Sequence, residues 1–293
     1  MTEIRATLIG AIAVLLWGAL ALLTTWTGAM PPFQMVAITF SIAFALALGK
    51  WIIRRENPFG HARQPLKVWG FGVGGLFGYH AFYFLALKNA PAVEASLIAY
   101  LWPLLIVLFS ALLPGERLRW FHLAGTLAGL AGTMLLVTDG GAVSFKAEYQ
   151  TGYLAAIACA LTWSSYSVLS RRFGDVPTDT VGWFCGVTAV LGGIASAVFE
   201  TPVWPVDPAI WLGVVLLGLG PVGAAFFVWD IGVKRGNIKV LGALSYAAPM
   251  LSTLLLIGFG DSLATPVVWL ACLAIVGGAV LAAKDMLFGR SPG

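Results

Sequence analysis

S-L-I-A-Y-L-W-P-L-L, residues 96–105, lies inside an apolar run long enough to cross a membrane, yet it holds Tyr100, Trp102 and Pro103 within four positions. Proline lacks the helical N–H, and its ring clashes with the carbonyl four residues back. Tyrosine and tryptophan carry polar groups that need partners when buried. A second stretch, A-L-S-Y-A-A-P-M-L-S at 243–252, repeats the Tyr-x-x-Pro pattern 146 residues later. At that shift Trp17 falls on Trp163, Pro31 on Pro177 and Lys88 on Lys234. One residue then drops out, and Gly115-Glu116 falls on Gly260-Asp261 and Gly132 on Gly277. Uncommon residues in one order at one spacing divide the chain into two repeats, 1–146 and 147–293.

The medium follows from composition. A soluble domain is about 45–50% apolar and about 25% charged; these 293 residues are 59% hydrophobic and 10% charged, with a mean hydropathy of +0.90. Windows of roughly 20 mostly apolar residues, the length of a helical span, fall at about 4–26, 32–52, 67–89, 92–113, 119–138, 152–172, 178–199, 209–232, 238–258 and 264–286. The first is too long for a signal-peptide core and no small-residue cleavage site follows, so it is expected to be retained. The expected fold class is an all-α integral membrane protein of ten transmembrane helices. Cys159, Cys185 and Cys272 all fall inside spans, with no metal spacing or pairing pattern.

Alternate loops differ sharply in charge. Arg5, the run from Lys50 to Lys67, Arg117 and Arg119, Arg171 and Arg172, Lys234, Arg235 and Lys239, and Lys284 and Arg290 put 15 lysines and arginines on one side; Lys88 and Lys146 are the 2 on the other. Cytoplasmic loops carry the excess of these residues, so both termini are expected in the cytoplasm. Five spans per repeat is an odd number, so the second repeat enters from the opposite side. Inverted repeats of this kind build alternating-access transporters, with the substrate site near the midplane between them. Trp26, Trp51, Trp69, Trp120, Trp183, Trp204, Trp211 and Trp269 lie near span ends and read as interfacial anchors. Trp17, Trp102 and Trp163 lie deep, and Trp229 lies nearer the inner end of its span.

Candidate lining residues follow from helix faces. Tyr79 and Tyr83 are four apart and share a face, beside Gly72, Gly75 and Gly78, a small-residue stripe suited to close helix packing. His80, the one histidine deep in a span, suits either packing or a proton or substrate path. In T-W-S-S-Y-S-V-L-S, residues 162–170, Trp163, Tyr166 and Ser167 share a face, and the serines are free to bond back to their own helix. Trp17 and Trp163, as mates, are expected to face one another across a central cavity. Pro103 and Pro249 are expected to kink their spans and free the carbonyls of Ala99 and Ser245, which would then serve a substrate ammonium. Tyr100, Trp102, Ser245 and Tyr246 flank those kinks. Trp102 has Ala248 as its mate, which leaves room for an aromatic substrate. Asp230 is expected to pair with Lys234 four residues on, Glu94 to sit at a helix N-terminus where acid is favourable, and Glu116 and Asp261 to be structural. No carboxylate occupies the middle of any span.

A-T-L-I-G-A-I-A-V-L-L-W at 6–17, Y-L-W-P at 100–103, R-G-N at 235–237, S-Y-A-A-P-M-L-S at 245–252 and the two Gly-acid pairs resemble the drug/metabolite transporter superfamily, EamA type, over the whole chain. The resemblance implies a ten-helix, basket-like fold and export of aromatic and other neutral amino acids. Small multidrug members carry a glutamate in the first span where this chain shows Trp17, which argues against proton antiport. An exporter of another small metabolite or drug is the alternative. An intramembrane enzyme lacks a deep nucleophile–His pair or a zinc motif, and a channel lacks continuous pore charge. No cofactor and no nucleic-acid partner is expected; the partners are the lipid bilayer and a small-molecule substrate, with a monomer as the working unit.

Overall fold

The computed structural model describes residues 1–259 and 263–288; the Gly260-Asp261 pair and Arg290 lie outside the described residues. Among the described residues, nine helical segments are long and apolar enough to span a bilayer: Glu3–Thr25, Pro32–Arg54, Leu66–Asn89, Ala92–Ser110, Trp120–Thr138, Ala147–Phe173, Thr180–Phe199, Pro208–Arg235 and Ile238–Gly258. The tenth, Pro266–Ala282, has 17 residues, the lower end of the spanning range of about 17–25. Helix starts follow local chemistry. Proline, whose missing N–H costs nothing in a first turn, opens the second, eighth and tenth spans. Side-chain oxygens of Asp207, Asn237 and Thr265 cap free N–H groups.

Four spans are interrupted. The fourth breaks between Ala92–Ala99 and Trp102–Ser110, and the ninth between Ile238–Leu244 and Ala247–Gly258. Both breaks lie just upstream of the predicted prolines, because a proline ring presses on the carbonyl about one turn back. The expected free carbonyl of Ser245 is not free: it accepts from the Ala248 N–H at 3.1 Å. Two interruptions were not predicted. The first span breaks at Ala19, next to Gly18, where an added Cβ would lie 2.6 Å from Cβ of Leu251. The eighth contains a π turn over Gly220–Ala224, where Gly-Pro-Val-Gly was a legible signal.

Each span packs on one from the other half of the chain. The second packs on the seventh, the fourth on the ninth and the fifth on the tenth. The first packs on the eighth and the third on the sixth. Close approaches use glycine: a Cβ on Gly10 would lie 2.8 Å from Cα of Gly232, and one on Gly125 would lie 2.3 Å from the Gly278 carbonyl oxygen. Spans two and seven are fastened at both ends. Lys50 pairs with Asp179 at one end. At the other, Glu200 accepts from the N–H groups of Phe33 (2.7 Å) and Gln34 (2.9 Å). Burial alone would raise the Asp179 carboxyl, but hydrogen bonds from Lys50 and Trp51 outweigh it and hold the group below its ordinary range. Trp51 is therefore no interfacial anchor: it is fully buried and donates to Asp179 at 3.1 Å. Trp120, Trp204 and Trp269 are exposed, as anchors should be.

Candidate functional site

At mid-membrane, between the repeats, four indoles meet. Trp17 comes from the first span, Trp102 from the fourth, Trp163 from the sixth and Trp229 from the eighth. All six pairs are in aromatic contact, with centroids from 5.0 Å (Trp17–Trp229) to 6.4 Å (Trp102–Trp163). The expected Trp17–Trp163 pair is edge-on at 5.7 Å. Trp229 completes the quartet although no sequence pattern pointed to it; it lies eight residues beyond Pro221 of the π turn. Trp102, Trp163 and Trp229 are buried and Trp17 is half-buried. Two of the four polar edges have partners. Trp17 Nε1 donates to the Pro221 carbonyl within the π turn (3.1 Å), and Trp229 Nε1 to the Ser167 hydroxyl (3.1 Å).

Half-buried polar aromatics stand next to the quartet, toward the face opposite the one on which the chain begins. Tyr79 contacts Trp163 at 5.5 Å and stacks on Tyr83 at 6.2 Å. Tyr83 hydroxyl lies 3.3 Å from Ser96 Oγ. Tyr100, at the break in span four, and His80 are also half-buried. His80 Nδ1 lies 2.8 Å from the Leu76 carbonyl. A carbonyl only accepts, so Nδ1 carries the hydrogen, and the neutral ring offers Nε2 as an acceptor. Tyr79, His80, Tyr83, Tyr100 and Trp17 are thus all half-buried, on and beside the quartet.

Other predicted residues lie elsewhere. Tyr166 is buried, stacked on Trp163 (5.3 Å) and Phe71 (5.2 Å), with Gly75 hard against it. Ser167 is buried and spent on Trp229. Ser245 is buried, its hydroxyl bonded back to Leu241. Tyr246 is fully buried, and its hydroxyl bonds backbone groups of span four. These four are buried and engaged in packing or internal hydrogen bonds. The repeat therefore uses its Tyr-x-x-Pro motif asymmetrically: Tyr100 is half-open and Tyr246 closed.

Beyond the quartet, toward the starting face, the repeats are tied by charge. Glu116, in the loop after span four, pairs with Arg171 at the end of span six and with Lys239 at the start of span nine (2.6 Å). Arg171 also donates to the carbonyls of Val233 (3.0 Å) and Gly236. Burial would raise the Glu116 carboxyl, but the two cations outweigh it and keep it below its usual range. Asp230 pairs with Lys234 (2.9 Å), as expected, and also accepts from Thr178 (2.6 Å). Among the described residues, every ion pair between segments distant in sequence lies on this face.

The model of the EamA-like transporter family matches the chain twice, over residues 4–138 and 150–283. The chain belongs to the EamA-like transporter family. An Ancylobacter novellus protein named aromatic amino acid exporter YddG is 56% identical, with 96% of this chain and 98% of that protein aligned. The Escherichia coli protein of the same name is 25% identical over 96% of this chain and 97% of its own length. A probable terminal-alkyne amino-acid exporter of Streptantibioticus cattleyicolor is also 25% identical, over 94% of this chain and 93% of its own. A crystal structure of a protein 54% identical in sequence superposes with a TM-score of 0.93, covering 99% of this chain and all of the other. The EamA-like assignment makes this a multi-pass membrane transporter.

Proposed function

We propose that this transporter exports aromatic and other neutral amino acids from the cytoplasm of a bacterial cell across its inner membrane, by alternating access between repeats 1–146 and 147–293. One observation supports the reading: Trp17, Tyr79, His80, Tyr83 and Tyr100 cluster on and beside the quartet, without a charged side chain among them, and in this reading they line the recess that takes the substrate. A zwitterion has no net charge to neutralise. Its ammonium is served by hydroxyl oxygens, His80 Nε2 and aromatic faces, and its carboxylate by tyrosine O–H groups. The names of the relatives support the substrate class.

The charge bias of the loops supports cytoplasmic termini. With that orientation, the ion pairs around Glu116 close the cytoplasmic side, and the recess faces outward. Export is release down the amino-acid gradient by a monomer, since no span carries a mid-membrane carboxylate to relay protons. Trp102 floors the recess, and the space beside Ala248 receives the aromatic side chain of the substrate. Purified protein in liposomes preloaded with unlabelled phenylalanine should accumulate labelled phenylalanine. Impermeant thiol labelling of a cysteine placed at the N-terminus tests the orientation.

A further inference from the structure

The break in span four is filled by a side chain from the other repeat. In an unbroken helix the Leu104 N–H would bond the Tyr100 carbonyl, four residues back. Here the Tyr246 hydroxyl stands between them: it donates to the Tyr100 carbonyl at 3.1 Å and accepts from the Leu104 N–H at 3.3 Å. One phenol thus replaces one backbone hydrogen bond, both of whose partners would otherwise be unmet in a medium without water. The phenol is fully buried. Its ring rests on Gly129 of span five, where an added Cβ would lie 2.7 Å from Cδ2. The bridged turn carries Tyr100, which faces the recess, and Trp102, which belongs to the quartet.

We propose that Tyr246 is a positioning residue for transport: its hydroxyl wedges span four open and so sets where Tyr100 and Trp102 stand. This rests on the reading of the recess as the transport site. Tyr246 belongs to span nine and the wedge to span four, so movement of one repeat is felt at the hinge of the other. Removal of the hydroxyl lets Leu104 N–H and Tyr100 C=O bond directly, which straightens the span and withdraws both aromatics. A second brace runs the other way: Trp17 of the first repeat donates into the π turn of span eight. One interruption in each repeat is thereby held by an aromatic group of the opposite one.

The test uses Tyr246→Phe, which keeps the ring and loses only the hydroxyl, and Gly129→Ala, which pushes the ring off its seat. Thr253→Val is the control, because Thr253 bonds only its own span, at the Pro249 carbonyl (3.0 Å). Two readouts are taken on the full chain: hydrogen exchange of the Leu104 amide, which needs no substrate, and counterflow kinetics with labelled tryptophan. Tyr246→Phe is expected to change Leu104 exchange by about tenfold and to raise the tryptophan KM by roughly tenfold with little change in maximal rate. Gly129→Ala should follow it and Thr253→Val should match the wild type. A wild-type KM and wild-type Leu104 exchange in Tyr246→Phe would overturn the proposal, as would an equal KM shift in Thr253→Val. If the wild type carries no amino acid, the transport reading falls on its own, and Leu104 exchange still decides the wedge.

Discussion

Trp17 and Trp163 occupy equivalent positions in the two repeats and meet edge to face, ring centroids 5.7 Å apart. An aromatic pair of this kind contributes about 0.5–1.5 kcal/mol beyond the area it buries. The contacts of the quartet together contribute on the order of a few kcal/mol. That is the range in which a ligand can shift a two-state equilibrium.

Trp163 touches Trp17, Trp102, Trp229, Phe226, Tyr166 and Tyr79. Trp163→Ala should cost roughly 3–5 kcal/mol of stability and lower tryptophan counterflow at least about tenfold. Trp163→Phe should retain most of both. Thermal melting and transport measured on the same preparations check the pair.

Glu116 ties Arg171 to Lys239 across the closed face. Its carboxyl is held below the ordinary range, so its stabilisation is complete above the unfolded pKa of about 4.3 and fades as pH falls through the lower folded value. Between pH 5 and 8, roughly, the tie should be indifferent to pH. Glu116→Gln should open it at every pH. With the native cysteines replaced, a cysteine at buried Ser170 should react faster with an impermeant thiol reagent from the cytoplasmic side in Glu116→Gln than in its parent.

An added Cβ at Gly75 would lie 2.4 Å from the Tyr166 ring, and one at Gly72 would lie 2.3 Å from Phe184. Gly75→Ala should destabilise by about 1–3 kcal/mol through overpacking. Gly74→Ala, where nothing lies within 4 Å, should leave melting unchanged. Thermal unfolding of the two variants separates them.

Release without proton coupling predicts that an imposed pH gradient neither drives nor slows phenylalanine counterflow, and that transport moves no protons. A pH-sensitive dye trapped in the liposomes reads both. His80→Gln should alter the KM and leave this independence intact.

Sequence patterns reached different distances at different levels. The ten spans, their odd number per repeat and the kinks near Pro103 and Pro249 were legible, because hydropathy and proline act through the local chain. Trp17 and Trp163 were legible as partners because the repeat pairs them. Trp229 was not, since its direction is set by the π turn around Pro221. Tyr246 looked like a second Tyr100 but is a brace, because Gly129 on a third span gives its ring a seat. The same tertiary override buries Trp51, whose place near a span end suggested the interface: Asp179, far away in sequence, accepts its N–H.

Counterflow in liposomes with labelled tryptophan, phenylalanine, threonine and a nucleoside tests the substrate class most directly. The recess predicts exchange of the three amino acids, the aromatic ones with the lower KM, and none of the nucleoside. Absence of exchange with every amino acid, or exchange of the nucleoside alone, would contradict it.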